Sequence, residues 1–410
     1  MKTKLSRVLA VLLCIVFIFP QITFASDWTE FGGSPYRHRL ATDPIGPPVQ
    51  LNWMHSTGRS MRQPLLIGDI IYHLGGNKLW TLDAKAEGEA IVLNSIRASD
   101  EPSHSDPTWD GRGVYYGTGA DTDGTYFLAY YNPATGDAFK VPLSDEIVTA
   151  PLVLENDTVI VATADGNIHV VRGLSVDEGT KRSFKEGTGR ISSSAGKLGP
   201  NSFVIGFDTN CRVSAYQVRT DAEGNPILEK IWADPTPTGV PASITVDGNR
   251  IFFSDKNGSF YCVNSTNGDL IWENTDFRGN FINDSPAISS TGVFFSIRNY
   301  GGKGLLVRLN KETGVTEWST KLQAMGANSP LVWQKAGAVL IGDQDGRVCA
   351  FNGATGKPLE FAAYQAPTPD GGFELQRATT FKPLNSNIAG PVQVNVTLTG
   401  SGYNRYHPYF

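Results

Sequence analysis

Short apolar runs recur along the chain at an interval of about 44 residues. Pro64, Pro107, Pro151, Pro241, Pro286 and Pro330 each open one of them, and Ala195 fills the slot between Pro151 and Pro241. Each anchor is followed by a short strand pattern, a Gly- or Asp-rich turn and a second strand, as at 114–116, 159–162, 251–254 and 293–296. A second turn and a third strand come next, as at 78–82, 168–171, 260–263 and 348–351. A third turn carries Gly88, Gly136, Gly179, Gly224, Gly268, Gly314 and Gly356. The fourth strand often ends in an aromatic residue: Trp232, Trp272, Trp318 or Phe361. The turns are rich in Asp, Asn and Gly, which supply the positive φ that tight hairpins need. The pattern predicts an all-β chain of four-stranded antiparallel units. One such unit cannot bury both of its faces alone, so the units must stack around an axis as a β-propeller. The recurring Trp positions predict packing across the gap between neighbouring blades.

Seven copies run from Pro64 to Phe361. The tail adds strand patterns at 373–381, 392–398 and 403–410, and Val392, Val394, Val396 and Leu398 alternate strictly. The expectation is an eight-bladed ring, in which tail strands pair with an N-terminal strand at 48–55 as a closing blade. Closure of that kind removes exposed sheet edges. A seven-bladed ring with a loose tail is the alternative. The chain divides accordingly into 1–25, 26–361 for the propeller repeats and 362–410 for the closing tail.

The first division reads as a secretory signal. Lys2, Lys4 and Arg7 precede an apolar run from Val8 to Phe19, and Thr23-Phe24-Ala25 offers a small-residue cleavage site before Ser26. The chain is therefore expected to be exported: secreted, on the cell surface or periplasmic. Ser26, where a lipoprotein needs Cys, argues against a lipid anchor. No later stretch is apolar for the length of a spanning helix.

Composition narrows the partners. Formal net charge is −5, and losing the basic leader makes the chain more acidic. Nucleic acid and anionic lipid are poor partners for such a surface. Cys211, Cys262 and Cys349 are widely spaced, with no CxxC and no adjacent pair, and Cys262 and Cys349 lie in strand-like runs, where buried small hydrophobes are expected. Motifs for hydrolytic metal or phosphate chemistry are absent, and the six His show no ligand spacing. Ser194-Ala195-Gly196-Lys197 has an SxxK form but occupies a repeat slot. The DxDG runs at 121–124 and 343–346 lack the Glu of a calcium loop and read as hairpin turns. No catalytic residue, cofactor or metal ligand is assigned.

The segments just before each anchor should gather on one face, around the channel. They carry Arg59, Arg62, His104, Asp106, Arg190, Asn280, Asp284 and Asn328. This ring is the candidate partner-binding site, because loops on a rigid scaffold commonly carry binding. Arg59, Arg62 and Arg190 suit an acidic peptide or glycan. A monomer is expected.

NSTNGDLIW (264–272), NKETGVTEW (310–318), NGATGKPLE (352–360) and NPATGD (132–137) resemble the D-x-x-T-G-x-x-x-W signature of pyrroloquinoline-quinone-like repeats. The opening DWTEFGGSPYR (27–37) with LNW (51–53) resembles the first segment of that family. The resemblance covers roughly 27–361 and implies eight blades. It includes quinone-dependent dehydrogenases, the outer-membrane assembly lipoprotein and exported proteins of other kinds. The dehydrogenases are longer and use a calcium ion, an adjacent-Cys ring and a Trp platform; this sequence has no adjacent Cys pair and no long insertion between blades. The expected function is a non-catalytic exported scaffold for a protein or glycan. A quinone-dependent dehydrogenase and an envelope assembly factor are the alternatives.

Overall fold

The computed structural model describes residues 27–42, 55, 63–173, 180–186, 190–209, 211–282, 284–326, 329–343, 347–368 and 373–381. All regular structure among them is β. Six consecutive sheets have four antiparallel strands each, hydrogen-bonded in chain order. Their first strands are Leu65–Ile67, Thr108–Trp109, Leu152–Val153, Gly196–Gly199, Thr245–Asp247 and Ala287–Ile288. A seventh sheet begins at Leu331–Trp333 and has five strands. We number these sheets 1 to 7 in chain order.

The hydrophobic clusters lie between sheets, not within them. In sheet 5, Ile251, Phe253, Tyr261 and Val263 pack towards sheet 4, against Val204, Val213, Ala215 and Trp232. Phe252, Phe260 and Cys262 alternate with them and pack towards sheet 6, against Val293, Phe295 and Val307. Side chains in a strand alternate between faces, so a strand covered on both faces must be apolar at successive positions. That is why the second and third strands of each unit are near-continuous apolar runs. The stacking of consecutive sheets is the propeller arrangement that the repeat predicts.

The outer rim repeats one contact three times. Trp232, Trp272 and Trp318 donate their indole N–H to Ser265, Lys311 and Gly353 of the following sheet, at 3.1, 3.1 and 3.2 Å. Each ring lies over the Gly of the next N-x-x-T-G or N-x-x-N-G turn. A Cβ on Gly314 would stand 2.5 Å from the Trp272 ring, and the φ of Gly314 is 72°. Both facts require glycine there. The turn's Asn holds its shape, as when Asn310 Oδ1 accepts the N–H groups of Glu312 and Thr313. The Asp of the DxDG turn at 121–124 does the same, accepting from Asp123 and Thr125.

A second belt runs near the axis. The backbone N–H just before one sheet's anchor slot donates to a side chain in the next: Gln63 to Asp106, Ala150 to Ser194, Ser194 to Ser243, Ser243 to Ser285 and Ser285 to Ser329. The belt corrects the repeat register in sheet 5. The residue that follows the belt position elsewhere is Pro64, Pro107, Pro151, Ala195, Pro286 or Pro330, but here it is Ile244, not Pro241. A longer approach to sheet 5 displaces its proline from the slot.

The C-terminal expectation also changes. Phe361 is buried but does not end an outer strand. Pro358 bridges Phe351, and the chain then leaves the sheet as the hairpin Ala362–Pro367 with Phe373–Ala378. It returns at Thr380–Phe381, which pairs with Val348 and Cys349 as the outer edge of sheet 7. Residues 373–381 therefore belong to this hairpin and to sheet 7. The expected closing strands at 48–54, 392–398 and 403–410 lie outside the described residues.

Candidate functional site

In sheets 1, 2 and 4 to 7 the first strand presents one edge to the axis, with backbone N–H groups that the repeat strands of its own sheet do not take. Residues 27–41 supply the acceptors. Trp28 exchanges two backbone hydrogen bonds with Leu66 of sheet 1. Thr29 O accepts from Trp109 of sheet 2, Pro35 O from Lys197 of sheet 4 and Tyr36 O from Val246 of sheet 5. His38 O accepts from Ile288 of sheet 6, and Arg39 O and Ala41 O from Val332 and Gln334 of sheet 7. Leu40–Ala41 pairs in parallel with Leu331–Trp333 as the fifth strand of that sheet. The segment thus visits the sheets in ring order. Trp28 also joins the ends of the series, because it pairs with sheet 1 and packs in the core cluster of sheet 7.

Local sequence explains the path. Gly32 and Gly33 have φ of 76° and 84°, and a Cβ on Gly33 would stand 2.9 Å from the Trp28 ring. The glycine pair lets the chain fold back over Trp28. Arg37 and Arg39 also have positive φ, 63° and 51°. Such a conformation costs a non-glycine residue on the order of 1 kcal/mol. The side chains offset it. Arg37 donates to Phe31 O, Ala195 O and, at 3.4 Å, Pro151 O of sheet 3, and its Nη1 lies 3.0 Å from Glu30 Oε2. Arg39 donates to Pro330 O at 2.8 Å and to Ser329 O. Two of the carbonyls reached by Arg37, and both reached by Arg39, belong to anchor or belt positions.

This is a buried charge cluster. Arg37 and Arg39 are 0% and 2% exposed. Burial lowers both guanidinium pKa values, that of Arg39 to about 10, while Glu30 and Asp106 oppose the fall for Arg37 and Asp284 and Asp106 oppose it for Arg39. Burial also raises Glu30 to about 7 and Asp284 to about 6, against the pull of the neighbouring arginines. A charge removed from water at such a site is tolerable only with partners in place.

The proposed ring divides. Asp106 and Asp284 are buried and face this cluster; they are not free for a partner. Asp106 also accepts the Gln63 N–H at 2.7 Å. His104 is exposed and pairs with Glu146, and Arg190 is exposed. Asn280 is half-buried and donates to Phe277 O, beside exposed Phe281. Arg59, Arg62 and Asn328 lie outside the described residues. Glu30, Arg37, Arg39 and Gln63 carry the axis and were not among the expected site residues. Their signal in the sequence is a glycine pair followed by Arg-x-Arg, just ahead of the first repeat.

The axis does not fit the dehydrogenase arrangement. It is filled by the arginines and their partners, and Cys211, Cys262 and Cys349 are unpaired and apart. No group of three or more His, Cys, Asp and Glu among the described residues is placed to hold a metal ion.

Comparison with known proteins bears on the repeat. Residues 210–404 match the family model described as outer membrane protein assembly factor BamB. Over that stretch the chain is similar to the pyrroloquinoline-quinone-like β-propeller repeat. The assembly factor BamB of Moranella endobia (strain PCIT) is 27% identical over 173 residues, which is 41% of this chain and 40% of that relative. Among solved structures, BamB from Moraxella catarrhalis is similar with a TM-score of 0.53 at 16% identity, covering 81% of this chain and 99% of that one. Quinohemoprotein alcohol dehydrogenase from Comamonas testosteroni has a TM-score of 0.61 at 14% identity, covering 83% and 75%. A computationally designed protein, Ika8, has a TM-score of 0.59 at 14% identity, covering 80% and 100%. An assembly factor, an enzyme and a design thus share this propeller, so the fold alone does not assign an activity.

Proposed function

We propose that the protein is an exported, non-catalytic propeller that holds a protein partner in the cell envelope, in the manner of an assembly factor. The observation that carries this reading is the commitment of the axial groups to residues 27–41. The polar side chains that converge at the centre of the ring satisfy one another. The groups left to meet a partner are on the loops, at His104, Arg190, Asn280 and Phe281. The match of residues 210–404 to the assembly-factor model supports the same reading, and the leader at 1–25 supports export. No helix among the described residues is long and apolar enough to cross a membrane.

The test is a cross-linked pull-down from the envelope fraction with the full chain. The wild type should retain one or more envelope proteins that the variant H104A/R190A/N280A loses. Retention of every partner by the variant would remove the loops from the reading. Retention of glycan alone would change the class of partner. Dye reduction with an alcohol or sugar, after addition of calcium and the quinone, would overturn the non-catalytic assignment.

A further inference from the structure

The contacts of residues 27–41 have the form of a bound peptide rather than a fifth strand repeated around the ring. Most sheets donate one backbone N–H to it, and each bond ends on a different carbonyl of one short segment that turns back on itself at residues 30–36. Specificity comes from side chains in fitted positions. Trp28 is 8% exposed and sits against Leu331, Trp333 and Leu340. Arg37 and Arg39, two residues apart, reach opposite parts of the ring: Pro151 and Ala195 for one, Ser329 and Pro330 for the other. Asp106 and Asp284, contributed by the propeller, supply the negative charge that these arginines meet. Gln63 reads the backbone between Trp28 and Arg37, donating to Glu30 O and accepting from the Gly32 N–H, each at 3.1 Å.

The geometry points to a peptide-binding site on the propeller axis, specific for a folded-back segment with an aromatic residue followed by Gly-Gly and Arg-x-Arg, and occupied in cis by residues 27–41. The chain carries its own ligand as a tether. A segment of the same chemistry on a second copy or on another protein can take the site only by exchange with it. This inference is independent of what the outer loops hold, since the two surfaces share no described residue other than the inward-facing Asp106 and Asp284.

The experiment uses the full chain with a protease recognition sequence inserted between Pro44 and Ile45, beyond the last axial hydrogen bond at Ala41. After folding and cutting, fluorescently labelled synthetic peptide 26–42 is added in excess and the mixture is resolved by gel filtration. The label should co-elute with the propeller as it replaces the cut segment. A peptide carrying R37K and R39K should bind at least about tenfold more weakly, because lysine lacks the fork that spans two carbonyls. A cut segment that neither leaves nor exchanges overturns the proposal, since it is then a strand of the fold. Equal binding of the lysine peptide overturns it also. If the insertion prevents folding, native-state hydrogen exchange on the unmodified chain decides. The N–H groups of Gly33, Arg37 and Arg39, which bond within the segment, should exchange through an opening smaller than global unfolding. Exchange of these amides only with the sheet cores would overturn the assignment.

Discussion

The rim and the axis of this propeller solve the same problem by opposite means. Each must hold neighbouring sheets together where their edges meet. The rim does so with an apolar plate on a glycine, repeated at Trp232, Trp272 and Trp318. The axis does so with two buried arginines that occur once each and serve several sheets. A contact between neighbours can be copied from unit to unit. A contact at the centre cannot, because there is room for only one set of groups. The comparison teaches that symmetry in a repeat protein ends where its units converge, and that a segment outside the repeat supplies what is missing there.

Substitutions should separate the two regions. R39A removes the donor to Pro330 O and Ser329 O and leaves Asp284 and Asp106 facing an unfilled site. A loss of about 3–5 kcal/mol is expected in denaturant unfolding, the range for breaking a buried charge cluster. If R39A costs less than a rim substitution, the axis is not the stronger joint. W272A should cost about 3 kcal/mol through lost burial and the cavity over Gly314, with no effect on peptide exchange at the axis. S243A tests the belt between them. It removes the acceptor of the Ser194 N–H, and a loss of about 1–2 kcal/mol in the same measurement is expected.

The smallest expected effect is that of pH. Burial raises Glu30 from 4.5 to about 7 and Asp284 from 3.8 to about 6. Between those values the folded protein keeps protons that the unfolded chain releases. Their contribution to stability is therefore full below the unfolded pKa and is lost as pH rises through about 6 and then about 7. Tm of the wild type should fall by a few degrees relative to the E30Q variant between pH 5 and pH 8. Parallel pH profiles of the two would show that Glu30 does not titrate in this window. No such pH term is expected from W272A, because the rim contact carries no titratable group.

Much of the fold is legible along the chain. The interval between units marks the stacking that neighbouring sheets share, and Gly268, Gly314 and Gly356 with the tryptophans before them mark a rim contact made by three neighbouring pairs. Repetition of a local requirement leaves repetition in sequence. Pro241 misleads for the same reason: it has the residue type of the slot, but Ser243 and Ile244 occupy the slot's place in the belt. Phe361 misleads because the chain leaves sheet 7 there, and the edge is completed only after the hairpin, at Thr380–Phe381. Neither departure breaks the hydrophobic pattern, so neither is visible in it.

The candidate site is the less legible part. Asp106 and Asp284 stand before anchors, and their placement near the channel follows from the repeat alone. That they face arginines instead of solvent does not, since burial of a charge depends on what fills the space opposite. The sequence by itself determined the four-stranded unit, its interval and its rim, because these rest on neighbours in the chain or in the next unit. Only the tertiary structure decided that Arg37 and Arg39 would be the centre of the molecule. Their partners lie in sheets 3, 4 and 7, far along the chain, and converge only when the ring is formed.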